Sequence, residues 1–115
     1  MYVKNIILND SDENNFLDWI LSDFDAQYHL DLGNSKVFFS ESYSPLNSNG
    51  FMTVMTIKNN QDHITVSVLS GGASSSLIGI DYGTEKRHVN KIITQIVEYA
   101  QNNNLETELL DETKI

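Results

Sequence analysis

Residues 51–69, FMTVMTIKNNQDHITVSVL, contain the clearest strand signal in the chain and decide its fold class. Phe51 to Lys58 and His63 to Leu69 are rich in apolar and β-branched residues, which favour strands. Between them, Asn59 to Asp62 have the polar composition of a hairpin connection. The pattern therefore predicts two antiparallel strands. The second strand alternates apolar residues with Thr65 and Ser67, and its apolar face should be buried. That face carries Ile64, Val66 and Val68.

Further segments on both sides of this hairpin also have the composition of strands. They are Tyr2 to Leu8, Tyr28 to Leu32, Val37 to Tyr43 and Leu77 to Asp81, with Gly33-Asn34 as a turn and Ser44 to Gly50 as a loop. The connections between the central strands are short, whereas a parallel crossover needs about a dozen residues or more. We therefore expect a mainly antiparallel sheet.

Two segments have the spacing of amphipathic helices. The first begins near Ser11 and repeats large apolar residues every four positions, at Phe16, Ile20 and Phe24. The second opens with Thr84 as its cap, and its apolar residues have the spacing of a helix that lies on a sheet. They are Val89, Ile92, Ile93, Ile96, Val97 and Ala100. We expect Ile92 and Ile96 to be buried, and Arg87, Lys91 and Glu98 to be exposed.

The order of elements, β-α-β-β-β-β-β-α, predicts an α+β domain with a sheet of about five to six strands and both helices on one face. We expect residues 1–104 to form this single domain. Residues 105–115 form an acidic segment, with three leucines interspersed, that could be a frayed tail, a last short element or a partner-binding segment. The prediction favours the frayed tail.

Composition excludes several classes of function. The 115 residues have a formal net charge of -9, which disfavours nucleic acid and anionic membrane surfaces as partners. We find no apolar run of the ~20 residues that a membrane span requires. Cysteine is absent, so disulfides and thiolate ligands are excluded. We expect a soluble protein of the bacterial cytoplasm, because no signal-peptide pattern is seen at Met1 to Leu8 and asparagine and isoleucine are frequent.

The sequence contains no convincing catalytic or metal-binding motif. Asp10, Asp12 and Asn14 resemble the start of a calcium loop, but Asn15 replaces the required glycine; helix capping explains these residues better. The three histidines show no metal-site spacing, and no GxSxG motif is present. We therefore predict no catalytic residues, no metal and no cofactor.

One region is a tentative contact for an anion or a partner protein. Glycines after the last central strand and cationic residues at the start of the second helix could attract an anion, because helix amino termini favour negative charge. A tight turn and a solvated helix face explain the same residues more simply. The tentative contact residues are Gly71, Gly72, Thr84, Lys86 and Arg87.

The same region gives the sequence a resemblance to a known family. Ser70-Gly71-Gly72 after a strand and Gly83-Thr84-Glu85 at the last helix resemble a family of small Firmicutes α+β domains of unknown function. The resemblance covers about the last half of the chain. It implies a strand-rich α+β domain and no catalytic activity.

Two functions remain open at this point. The first is a non-catalytic binding or interaction module whose partner is another protein or a second copy, with a small molecule also possible. The alternative is a carrier of a small hydrophobic ligand, with a pocket between the sheet and the C-terminal helix. Its expected lining is Phe38, Met52, Met55 and Trp19. An enzyme ranks third.

Overall fold

The computed structural model describes residues 2–9, 13–24, 26–43, 50–71, 84–110 and 113–114. These residues form seven strands and two helices. The elements are β1 (Tyr2–Asn9), α1 (Glu13–Asp23), β2 (Tyr28–Asp31), β3 (Ser35–Tyr43), β4 (Gly50–Asn60), β5 (His63–Gly71), α2 (Thr84–Asn102), β6 (Thr107–Leu109) and β7 (Thr113–Lys114).

All described strands belong to one antiparallel sheet. The strand order is β2-β3-β4-β5-β1-β6, and β7 also pairs with β1. The predicted α+β fold class is therefore confirmed. The predicted strand at residues 77–81 and most of the predicted loop at 44–50 lie outside the described residues, while Gly50 already belongs to β4.

The central hairpin is confirmed, with a tighter connection than the sequence predicts. Asn59 and Asn60 continue β4 and pair with Ile64 and His63, so that only two residues form the turn. The next hairpin, β2–β3, turns at Gly33, whose φ of 87° is readily adopted only by glycine. Its amide donates to the Asp31 carboxylate at 3.0 Å.

Both helices lie on one face of the sheet, as predicted, and this face holds the hydrophobic core. Alternate strand residues point towards the helices, which explains why Ile64, Val66 and Val68 are buried. The helices contribute the residues at the predicted apolar spacing. The buried helical residues are Phe16, Ile20, Phe24, Val89, Ile92, Ile93, Ile96, Tyr99 and Ala100, with Val97 packed at the margin. Arg87, Lys91 and Glu98 are exposed, as expected.

The C-terminal segment is a correction to the prediction of a frayed tail. Asn104, in the turn that follows α2, has the left-handed conformation (φ 57°), and the Leu105 amide donates to the Ala100 carbonyl at 2.8 Å. This hydrogen bond is the one that reverses a chain at a helix C-terminus. The chain then returns along β1, where β6 and β7 satisfy backbone groups that would otherwise form an open sheet edge.

Candidate functional site

The sheet has a second face, which the helices do not cover; we call it the outer face. On this face, one apolar residue from each of five adjacent strands lies in register, and we call this set the apolar row. Strand pairing aligns each member with the next. In order across the sheet, its members are Val3, Leu69, Val54, Phe39 and Tyr28.

The β2 end of the apolar row is the most exposed apolar region of the outer face. Tyr28 and Met52 are 61% and 42% exposed, and Leu30 is 39% exposed. These three account for half of the six large hydrophobic side chains that are exposed in the described part of the chain. Tyr28 packs against Phe39, with ring centroids 6.0 Å apart. The row therefore ends in an aromatic and aliphatic corner that is open to solvent.

This corner surrounds a shallow depression of about 330 Å³. Aromatic and aliphatic side chains form most of its wall, and Glu41 lies at its rim. The lining residues are Gln27, Tyr28, Leu30, Phe39, Ser40, Glu41 and Met52. A concave apolar surface of this kind can receive one large side chain of another protein.

Gln27 fixes the backbone at this corner. Its side-chain oxygen accepts a hydrogen bond from the Glu41 amide at 3.1 Å, and its nitrogen donates to the Glu41 carbonyl at 3.3 Å. The side-chain amide thereby forms the two hydrogen bonds that a peptide group would form if β2 continued along β3 past Tyr28. The short β2 strand leaves this edge of β3 unpaired, and Gln27 satisfies its backbone groups.

Polar residues of the outer face are partly satisfied within the sheet. Asn5 accepts a hydrogen bond from Ser67 on the neighbouring strand, and Asn60 donates to Thr65 at 3.2 Å. Mutually bonded polar groups can be covered by a partner at a lower cost than unbonded ones.

The structure places the tentative anion-contact residues only in part. Gly71 ends β5, Thr84 begins α2, and Lys86 and Arg87 are exposed in the first turns of that helix. Gly72 lies outside the described residues. In the described part of the chain, no hydrogen bond or ion pair links Gly71 with Lys86 or Arg87. The anion contact therefore stays a prediction.

Of the four residues predicted to line a carrier pocket, the structure brings together only Phe38 and Met55, which are cross-strand partners. Phe38 and Met55 are buried in the core, whereas Met52 is on the outer face. Met52 and Met55 are three positions apart in one strand, and residues at an odd separation point to opposite faces. Trp19 packs between the helices, against Phe16 and Tyr99.

Two other depressions lie on the helical side of the molecule. A groove of about 350 Å³ separates α2 from β1 and β6; Ile6, Ile93 and Leu109 form part of its wall. A cleft of about 530 Å³ between α1 and α2 is lined mainly by polar residues around Trp19 and Tyr99. Neither depression assembles a nucleophile with a base. In the ranges described above, no three His, Cys, Asp or Glu side chains are placed to hold a metal ion.

Two titratable groups of the described residues have a pKa that their surroundings lower. A hydrogen bond from His63 lowers the pKa of the exposed Asp62 carboxyl. Burial lowers the pKa of His88, and Lys91 lowers it further, which favours the neutral ring. The two groups are on different elements and do not form an acid–base pair.

Comparisons with known proteins add no family or activity. Scans against protein-family models, curated proteins and solved structures found no match. The resemblance to the Firmicutes family therefore stays a prediction. None of the helices described above is long and apolar enough to cross a membrane.

Proposed function

We propose that this protein is a non-catalytic interaction module that binds another protein through the outer face. The observation that carries the proposal is the apolar row, which extends in register across five strands on the face that neither described helix covers. A location in the bacterial cytoplasm is part of the proposal. It is supported by the lack of cysteine and by the composition of the chain.

The physical argument starts from the way sheets are normally covered. A sheet buries each apolar face against another layer, and antiparallel sheets that expose one face to water usually carry polar residues there. Here β5 and β4 follow that rule at Thr65, Ser67 and Thr56. The apolar row breaks the rule at the same register position on every strand from β2 to β1. Val3, Leu69, Val54 and Phe39 are half-buried and Tyr28 is exposed. A contiguous apolar surface that solvent can still reach marks an interaction site.

The test uses the two methionines of β4 as internal reporters. Met52 is 42% exposed on the outer face, and Met55 is fully buried in the core. Peroxide oxidation, followed by peptide mass spectrometry, measures the exposure of both side chains in one sample. We expect rapid oxidation of Met52 in dilute purified protein. We expect Met52 to be protected at least about fivefold when a partner covers the outer face, as in an extract of the source cells or in concentrated protein.

Met55 is the matched control, since its slow oxidation in every sample shows that the fold is intact. Protection of Met52 only in the extract would indicate a different protein as the partner. Protection in concentrated pure protein would indicate a second copy. Rapid oxidation of Met52 under all conditions would contradict the proposed function, and slow oxidation even in dilute protein would show that the chain covers this face itself.

A further inference from the structure

We infer that the partner on the outer face is a second copy of this chain, packed sheet on sheet with the strands of the two copies antiparallel. In this arrangement, Glu41 of each copy lies beside Lys58 of the other. The inference rests on the proposed function and specifies its partner. Area, charge and the register of the strands carry it.

The outer face has about the area that a stable dimer needs. Five strands at a spacing of about 4.8 Å, with a mean length of about eight residues at about 3.3 Å per residue, present roughly 650 Å². Specific protein interfaces bury about 800 Å² on each partner, measured as the larger accessible surface. A facing sheet of the same size covers the whole outer face at once, whereas a single helix, about 10–12 Å across, covers only a strip of it.

The distribution of charge also favours self-association through this face. The chain has a net charge of -9, so that most orientations of two copies repel each other. Within the described strands, however, the outer face carries only three acidic or basic side chains apart from the histidine at its margin: Glu41, Lys58 and Glu108. Two copies can therefore meet here with most of their negative charge directed away from the contact.

Glu41 and Lys58 fix the relative orientation of the copies. Lys58 pairs with Ser35 at one end of the β3–β4 register, and Glu41 pairs with Met52 near the other end. Two outward-facing residue pairs lie between these two pairs. The two charges are therefore about 20 Å apart along the strands. Consider a two-fold axis that runs across the strands, midway between the levels of Glu41 and Lys58. This axis places Glu41 of one copy over Ser35 of the other. Lys58 of that other copy is then beside Glu41, because Lys58 is paired with Ser35 on the adjacent strand.

The same axis places apolar residues of the two copies against each other at the β2–β3 side of the sheet. Phe39 of one copy lies over Val37 of the other, and Tyr28 lies over Leu30, because these pairs flank the axis on β3 and β2. On the remaining strands, Val54, Leu69 and Val3 lie over the polar residues Thr56, Ser67 and Asn5. A two-fold axis along β4 would instead stack the two apolar rows. It would, however, place Lys58 over Lys58, and like charges in contact disfavour that orientation.

Sedimentation equilibrium of charge-reversed variants tests this arrangement. We expect the wild-type chain to dimerise, and Glu41→Lys or Lys58→Glu to raise the dissociation constant at least about tenfold, because each dimer contains two such pairs. Combining both reversals restores the attraction with the signs exchanged. The double variant should therefore return to within about threefold of the wild-type constant.

Glu98→Lys on α2 is the matched control, since it makes the same change in net charge on an exposed residue of the helical side. Glu41→Lys reduces the net negative charge of the chain, which by itself favours association. If this variant nevertheless dimerises more weakly, the cause is the loss of the attraction between Glu41 and Lys58. A dimer that ignores both reversals, or a double variant that stays dissociated, would overturn the inference. A monomeric wild type would also overturn it; the proposed function would then survive only if Met52 is protected in the extract.

Discussion

Replacing Phe16 with alanine is expected to lower the free energy of unfolding by about 3–5 kcal/mol, the usual cost of removing a buried aromatic side chain. Phe16 is fully buried on α1. Its ring lies 5.6 Å from that of Trp19 and 5.3 Å from that of Tyr99 on α2, measured between centroids. The substitution therefore removes one of the aromatic contacts that join the two helices above the sheet. Urea unfolding followed by circular dichroism measures the effect.

Leu21→Ala is the matched control for Phe16→Ala, because Leu21 is on the same helix but is 63% exposed. Its effect should remain within about 0.5 kcal/mol. Equal effects of the two substitutions would show that α1 does not pack on the core as described.

Ile96→Ala has the second-largest expected effect, a loss of about 2–5 kcal/mol in the free energy of unfolding. Ile96 is fully buried in the middle of α2, so its truncation leaves a cavity between helix and sheet that the surrounding side chains fill only in part. The unfolding midpoint in urea should fall while the slope stays nearly constant.

Gln95→Ala provides the neighbouring comparison, since Gln95 is exposed on the same helix and alanine favours helix slightly. We expect little change in stability. An unfolding midpoint of Ile96→Ala within error of the wild-type value would mean that the buried face of α2 has been misassigned.

The helices and the central hairpin were predictable because their signals are local. The apolar spacing in α2 identifies its buried face without knowledge of the rest of the fold, and the alternation in β5 does the same for Val66 and Val68. The turn at Gly33 is also a local signal, since glycine readily adopts a positive φ. Each of these features depends only on residues within one or two turns of chain.

The apolar row was missed because it is a property of strand pairing. Val3 and Phe39 are far apart in the sequence, and only the register of β1, β5, β4 and β3 places them in one line. In each strand alone, an apolar residue at an outward position looks like an isolated exception. Only the pairing register of all five strands shows that these outward apolar residues lie side by side.

The C-terminal strands were missed for a related reason. Thr107–Leu109 and Thr113–Lys114 are too short and too polar to predict strands by composition. They form because β1 offers an unpaired edge and because Asn104 turns the chain back towards it. The backbone groups that stabilise β6 and β7 therefore belong to β1, at the other end of the sequence.

The most direct test of the account is a distance between two spin labels across the proposed dimer. The chain has no cysteine, so Glu108→Cys places one label per copy on the outer face, beyond the apolar row. With sheets about 10 Å apart and the two copies of residue 108 about 20 Å apart along the strands, the two labels should be about 20–30 Å apart. Lys91→Cys places the label on the exposed side of α2, where the distance should exceed about 30 Å, since a helix layer on each copy adds about 10 Å to the spacing of the sheets. A shorter distance at residue 91 than at residue 108, or no dipolar coupling at residue 108 in concentrated protein, would contradict contact through the outer face.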